Sequence, residues 1–469
     1  MFSVIFNVSR RGMKYLIEIL KRHNIDGVPD SFYLLQKEES RKSPLVKSLN
    51  SSKEKFCYLS IKENIQYLCS NDYLTNGAEL TLHISIDGLP LFKSSSVVLW
   101  PILMKVVNCS YSHPLPLGIF CGISKPKLDY FLSDLSAELK TFSNHLQIGD
   151  TGCTIKDVLF ICDSPARAFI QGIIQHGGYN GCGYCRVVGE YSSDFHHVFY
   201  PRTGNELRSD VSYLQFQETN QICRSPLLGV VPFSTAFPPD YMHLVCIGVV
   251  KRMLNYYCQS TKGIRLRCRL SSSILKTLDE RILNFSGRLP KEFTQRLRTT
   301  KNLPYYKATE LRCFLLYFSP YGLKSILPED YYKHFMLLHF SIYAMLTKQH
   351  KLLIHNVKYC LEKFIQDINV LFHQSFTVYN VHALQHLPDY VQRLGSLDNF
   401  SAFPYENYLR LLKKRIKSGN CVFEQSQNSL FTLRTLYGNI RRSELSYSAK
   451  EPDNFCITSN GDVVKIIST

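Results

Sequence analysis

The sequence predicts a mixed fold of the α+β or α/β kind: a sheet-based core interrupted by an all-helical insertion, with a short helical segment before it and a β ribbon after it. Three observations predict this. Closely spaced apolar and β-branched runs begin at Leu80, helical periods dominate residues 255 to 375, and short β-like runs return after Leu445.

At 469 residues the chain has room for several domains, given about 150 residues per domain. With 45% hydrophobic and 20% charged residues it has material for an ordinary core. The formal net charge of +17 is the unusual quantity. It points to a polyanionic partner, nucleic acid first and anionic membrane second, although basic folded proteins of other kinds exist. Sixteen cysteines are spread along the chain with one close CxxC, which suits reduced thiols better than a secreted disulfide framework. The opening MFSVIFNVSRRGMKYL places Arg10 and Arg11 after an apolar start, the wrong order for a signal peptide, and no run approaches membrane-spanning length. A soluble, intracellular chain without a membrane partner is the expectation.

In order, GMKYLIEILKRH at 12 to 23 has the helical period, with Met13, Leu16, Ile17 and Leu20 on one face. Residues 36 to 55 are polar and Ser-rich, so 1–60 read as a helix and a linker. The core's first part is assigned to 61–250. There LTLHISID, SSVVLWPILMKVV and PLPLGIFCG read as three successive strands, KLDYFLSDLSAELKTFSNHL as a helix, and IKDVLFICD as a fourth, buried central strand. Asp87 closes the first strand and Asp163 the fourth. Three strands, a helix and a fourth strand is the order of RNase H-like folds, in which the first and fourth strands lie side by side and would bring the two aspartates together. Each aspartate alone could be a turn or cap residue; Asp163, before Ser-Pro, could cap the helix that follows.

After that helix, HGGYNGCGYC carries Cys182 and Cys185 in a glycine-rich loop. The spacing lets two thiolates reach one zinc ion. A redox pair would be expected to open a helix directly after a strand, and chance pairing is the remaining reading in a cysteine-rich chain. PPDYMHLVCIGVVKRML then predicts an amphipathic helix with Asp240 as N-cap and His243 in its first turn. Residues 251–378 are expected to form the insertion. Arg265, Arg267, Arg269, Arg281, Arg288, Arg296 and Arg298 offer it either a phosphate-binding surface or a solvated basic face.

Residues 379–444 are expected to complete the core. His382 and His386 are spaced to share one helix face, and Glu406 opens a further helix that runs into KKRIK, a nuclear-localisation or phosphate-contact candidate or a plain solvated face. Residues 445–469 read as a small ribbon, with Asn460-Gly461 as its turn.

Three converging carboxylates, Asp87, Asp163 and Glu406, suit two divalent cations, magnesium or manganese, as in phosphoryl transfer. The softer donors Cys182, Cys185, His382 and His386 suit a separate structural zinc that would pin the CxxC loop to the segment carrying Glu406. The chain resembles the catalytic region of the animal CACTA (En/Spm) transposases. The resemblance lies in ISIDGLPLFKSS, DSPARAFI with GCGYC, PPDYMHLVCIGVVKRM, LPYYKATELRCFLLY, VHALQHLPDYV and FSAFPYENYLRLLKK, and it covers the chain from about Ile61 to the end.

The resemblance implies a DDE/D DNA transposase related to the V(D)J recombinase catalytic core, nuclear, acting on element ends and target DNA as a homo-oligomer. It implies that Asp87, Asp163 and Glu406 are the catalytic acids, with Asp240 as the rival third acid, and that the two Cys and two His share zinc. No DNA-reading module precedes the core, which leaves room for a truncated or host-adopted form. The alternatives are a catalytically inactive, transposase-derived DNA- or chromatin-binding protein, and a nuclease using the same acids on other nucleic acids.

Overall fold

The computed structural model describes residues 54–417 except 93–94, 144–147, 202, 205, 260–265, 291–292 and 294–295. It also describes 15, 18–19, 21–23, 46–48, 419, 421–427, 429, 455–457 and 463–465. The fold is mixed α+β. Its sheet comprises β1 (Val46–Ser48), β2 (Lys55–Tyr58), β3 (Glu79–Ile86), β4 (Leu89–Pro90), β5 (Val98–Val106), β6 (Leu115–Gly122) and β7 (Thr154–Phe160). The order is β1-β2-β6-β5-β3-β7, with β4 continuing beside β5. All pairs are antiparallel except β3 with β7, which is parallel.

Strict alternation builds β3. Leu80, Leu82, Ile84 and Ile86 are fully buried on one face, while Thr81, His83 and Ser85 take the other, so Asp87 follows on the polar side. The ladder to β5 ends at the Ile86–Ile102 pair and resumes with Leu89 opposite Leu99. Pro101 lies opposite this gap, where β3 asks no hydrogen bond of it. Asp87 and Gly88 therefore sit outside the ladder, and the Gly88 N–H donates to Asp87 Oδ1 at 2.7 Å.

Two faces carry two cores. Helices α1 (Ile61–Ser70), α2 (Leu128–Ser143) and α3 (Ser164–Gln171) cover one face, with Phe131, Leu132 and Leu135 of α2 packed on the even positions of β3. The other face, through Leu99, Leu103, Ile119 and Leu159, shares one continuous core with the CxxC loop and the helices of the second half. Among those helices are α4 (Lys251–Cys258), α5 (Ser272–Gly287), α6 (Glu329–Leu346), α7 (His350–Leu371), α8 (Leu387–Leu394) and α9 (Phe403–Arg415). The described residues of 251–378 contain helices and no strand. Their core is continuous with that of the sheet.

Several expectations are corrected. The strand 154–160 is not central: it ends the described sheet order, and Thr154–Val158 are only partly covered. Its apolar content serves the two faces, and at its outer edge the Phe160 N–H donates to the Ala236 carbonyl of a loop at 2.7 Å. The N-terminal segment 1–60, expected to be a helix and a linker, contributes β1 and β2, whose backbones extend the sheet beyond β6. The helix after Asp240 is not amphipathic: Met242–Val250 is π-helical and almost wholly buried before it becomes α4. Two arginines expected to face phosphate are used inside the fold: Arg281 donates to the carbonyls of Tyr321, Gly322 and Lys324, and Arg298 pairs with buried Glu310 at 2.8 Å. Arg267 stays exposed, 3.8 Å from Asp330 on the surface. Arg265 lies outside the described residues, as do most of the linker and the Asn460-Gly461 turn, although Phe455–Ile457 and Val463–Lys465 pair as the expected ribbon. The N-terminal stretch is helical at Tyr15, Glu18, Ile19, Lys21 and Arg22.

The helical core makes one pH prediction. His334 on α6 is 1% exposed, stacks 4.2 Å from the Phe364 ring and donates from Nε2 to the Phe364 carbonyl at 2.9 Å. Burial pushes its pKa down from 6.5 to about 4. The unfolded chain therefore takes up this proton first, and stability present above pH 6.5 is lost as pH falls toward 4. Between pH 7.5 and 5.0 the loss from this residue is about 2 kcal/mol by linkage. Urea unfolding at both pH values, compared between wild type and His334→Phe, should show a variant less pH-sensitive by that amount. Equal sensitivity would exclude the neutral buried imidazole.

Candidate functional site

Asp87, at the end of β3, and Asp163, three residues past the end of β7, are brought to the same end of the parallel strand pair. Asp163 also caps α3: its Oδ1 accepts from Ala166 N–H at 2.7 Å. The capping reading of Asp163 thus holds, with one oxygen serving the cap. Glu406 lies in the first turn of α9, its side chain 39% exposed. The three carboxylates sense one another. Burial first, then the charges of Asp163 and Glu406, push the Asp87 pKa up to about 7. Glu406 is likewise raised, by burial and by the charges of Asp240 and Asp163, while His243 and a hydrogen bond with Asp87 oppose the shift.

Asp240 is placed differently from its rival. Its Oδ1 accepts from Met242 N–H at 3.3 Å and from Ala402 N–H at 2.7 Å. Its Oδ2 accepts from the His243 backbone at 2.9 Å and from His243 Nδ1 at 2.7 Å. A carboxylate has about four acceptor positions, and this one, 1% exposed, has them filled. Asp240 is therefore a brace: Ala402 is the N-cap of α9 and its carbonyl accepts from Glu406 N–H at 3.0 Å, so the brace sets where Glu406 starts.

His243 stands between the two acids, with Nε2 3.7 Å from Glu406 Oε1. Burial works against its proton, but the hydrogen bond and charge of Asp240 and the charges of Glu406 and Asp163 raise its pKa to about 9. It is thus a cation at neutral pH. By sequence alone His243 is a first-turn residue beside a cap; the readable signal is the Asp-x-x-His spacing, which puts both side chains on one face.

The second cluster is fully buried. Cys182 and Cys185 Sγ lie 3.6 Å apart, Cys182 Sγ is 3.6 Å from His386 Nε2, and Cys185 Sγ is 3.3 Å from His382 Nε2. Tetrahedral zinc with bonds of about 2.3 Å to sulfur and 2.0–2.1 Å to nitrogen requires edges of about 3.8 Å (S–S) and 3.6 Å (S–N). The donors therefore stand close to the corners of such a site. Among the described residues, this is the one group of three or more His, Cys, Asp or Glu whose ligand atoms all lie within 4.8 Å, and it can hold a metal ion. Asp87, Asp163 and Glu406 do not form so close a group. Within the quartet, burial opposes the charged thiol, but the Cys185 thiol and both imidazoles hold Cys182 well below its usual value; that thiolate in turn pushes Cys185 up. The helical turn Tyr379–His382 tightens to a 3-10 turn over Ala383–His386 before α8, and both imidazoles still face the thiols.

Arg167 links the two clusters. It lies on α3, four residues after Asp163, with its guanidinium 4.2 Å above the ring of Tyr184 in the CxxC and Nη2 donating to Tyr379 Oη at 2.9 Å. A Cβ at Gly183 would come within 2.7 Å of Arg167 Nη2, so the glycine inside the CxxC is required by this approach. Arg208 supports the loop from the other side, donating to the Cys182 carbonyl at 2.9 Å and pairing with buried Glu218 at 2.6 Å. Nothing in local sequence pattern marks these buried charges. In the KKRIK segment, Lys413 donates to the Pro90 carbonyl and Lys414 is exposed in the last turn of α9, where cations suit the helix dipole.

No protein-family model matches this chain, and no curated protein does. No helix among the described residues is long and apolar enough to cross a membrane.

Proposed function

We propose that this protein is a DNA transposase of the DDE/D type, cutting and joining DNA strands by metal-dependent phosphoryl transfer on an RNase H-like core. The observation that carries the reading is the convergence of Asp87, Asp163 and Glu406, from three separate elements, on one polar spot where burial and mutual repulsion raise Asp87 to about 7. A carboxylate cluster that repels itself is a site for cations. The parallel pairing of β3 and β7 and the order β6-β5-β3-β7 support the RNase H-like assignment.

In this reading Asp87, Asp163 and Glu406 hold two magnesium or manganese ions through their remaining oxygens. Bound there, divalent ions lower the pKa of an attacking water or 3′-hydroxyl and stabilise the leaving oxygen. Asp240 fixes the start of α9 and so the place of Glu406. His243, protonated and beside Glu406, offers a cation to phosphate oxygens. Cys182, Cys185, His382 and His386 hold one zinc, which ties the CxxC loop to the helical segment leading to α9. The net charge of +17 suits DNA as substrate and a nuclear location. The protein works as a homo-oligomer on two element ends.

Strand cleavage and joining on DNA bearing the terminal repeats of the encoding element, with magnesium or manganese, tests the reading. Metal-dependent cutting at the repeat ends supports it. Salt-dependent DNA binding with no metal-dependent cutting would instead identify a transposase-derived DNA- or chromatin-binding protein, and cutting without end preference a nuclease.

A further inference from the structure

A cleft of about 410 Å³ opens beside the acidic cluster, with Asp163 and His243 in its wall. The cleft is thus continuous with the site of the carboxylates. Its long wall is the junction of the π-helical Met242–Val250 segment with α4, which turns His243, Lys251, Arg252 and Asn255 toward one side. The opposite wall brings His176 from after α3 and Asn380 from the segment before His382. Asn380 lies directly on Gly248, where a Cβ would meet its Nδ2 at 2.4 Å, so the glycine sets the width here.

Several polar groups of this cleft are only partly satisfied by protein. Among the described residues neither Lys251 nor Arg252 has a carboxylate within ion-pair distance. Lys251 uses one donor on the Pro304 carbonyl at 2.8 Å, and Arg252 reaches only Tyr256 Oη at 3.5 Å. Arg252 Nε and His176 Nδ1 are buried without a hydrogen bond. Burying such donors unsatisfied costs about 1–3 kcal/mol each, a cost that a bound acceptor removes. Two unneutralised cations with neutral donors between them, at the edge of a carboxylate cluster, make a site for an anionic group attached to something that continues into that cluster. Phosphodiester meets this description. The volume is that of a nucleotide-sized group, too small for a duplex.

We propose that this cleft seats the phosphodiester of a single DNA strand next to the one attacked, with Lys251 and Arg252 as its cationic contacts and Asn380 and His176 as neutral ones. The proposal rests on the transposase reading for the identity of the strand, and it adds the path along which that strand leaves the carboxylates. The cleft then sets substrate form: a strand must be separated from its complement to follow it.

The test uses the full chain, without added magnesium or manganese, and a fluorescent oligodeoxythymidine whose affinity is followed against salt. For single strands the slope of log K against log salt changes by about 0.7 for each phosphate that the protein ceases to neutralise. Arg252→Gln with Lys251→Gln should flatten the slope by about 0.7 to 1.4 and weaken binding about tenfold. Asn255→Asp, which adds a like charge at the rim, should weaken binding without removing either cation, and Arg252→Lys should keep most of the affinity. Lys333→Gln, on the exposed face of α6, should change nothing. Should the double variant disturb folding, as read by its circular dichroism and melting temperature, Asn255→Asp and Arg252→Lys still decide. Manganese-dependent plasmid nicking is measured alongside. Nicking by wild type with slope and affinity unchanged in every cleft variant overturns the cleft assignment and leaves the function standing. Absence of nicking with the predicted slope change overturns the function and leaves the cleft standing.

Discussion

Glu406→Gln, Asp87→Asn and Asp163→Asn are each expected to lower metal-dependent strand cleavage by about 10³-fold or more, because each removes an anionic ligand on which charge stabilisation in phosphoryl transfer depends. The same substitutions should leave the fold intact. Asp87 and Glu406 are desolvated and repel their neighbours, so neutralising either relieves repulsion, and the melting temperature of the metal-free protein should hold or rise. Asn is as good a cap as Asp at position 163. Asp240→Asn provides the contrast. Its four accepted hydrogen bonds come from N–H donors, and an amide would turn an NH₂ group toward some of them, so this variant should lose stability as well as activity. Cleavage that survives in Glu406→Gln would falsify the assignment of the third acid.

One zinc per chain is expected by elemental analysis of the purified protein, with Cys185→Ser losing it. The four donors are fully buried and converge from two segments about two hundred residues apart in sequence. Without the ion they leave a thiolate and two imidazoles in an apolar interior. Structural zinc of this donor class contributes on the order of 10 kcal/mol, so chelation or Cys185→Ser should lower the melting temperature sharply, with binding of unfolded-state probes at lower temperature. Through Arg167, which touches Tyr184 of the loop and Tyr379 before the histidines, loss of zinc should also loosen α3 and the Asp163 it carries. Cleavage should therefore fall even where protein remains folded. Stoichiometric zinc retained by Cys185→Ser would rule out these four ligands.

Local pattern made much of this readable. The alternation in LTLHISID set β3 and placed Asp87 at its end, because a period of two has only one way to bury Leu80, Leu82, Ile84 and Ile86 together. The donor types and spacings of Cys182 with Cys185 and His382 with His386 already named a metal-holding group, since softness and reach are properties of the residues themselves. Other features depended on what distant chain supplies. A nearly apolar run such as VLFIC reads as a central strand, yet β7 lies at the edge of the described sheet, because burial by helices on two faces and burial between two strands select the same residues. The arginines of the helical half looked alike in sequence, and only packing separated Arg298, held by buried Glu310, from Arg252, which faces the cleft.

The sequence alone determined the mixed α+β composition, the net positive charge and the chemical identity of both donor sets, because these follow from residue type and short-range periodicity. Only the tertiary structure decided which acid has its acceptor positions filled by protein donors. Asp240 and Glu406 are both carboxylates at helix starts. Asp240 has its lone pairs filled, one of them by the Ala402 N–H 162 residues away, whereas Glu406 keeps a partly exposed side chain beside Asp87 and His243. What a carboxylate can bind is set by the acceptor positions its neighbours leave open, and those neighbours are chosen by the fold.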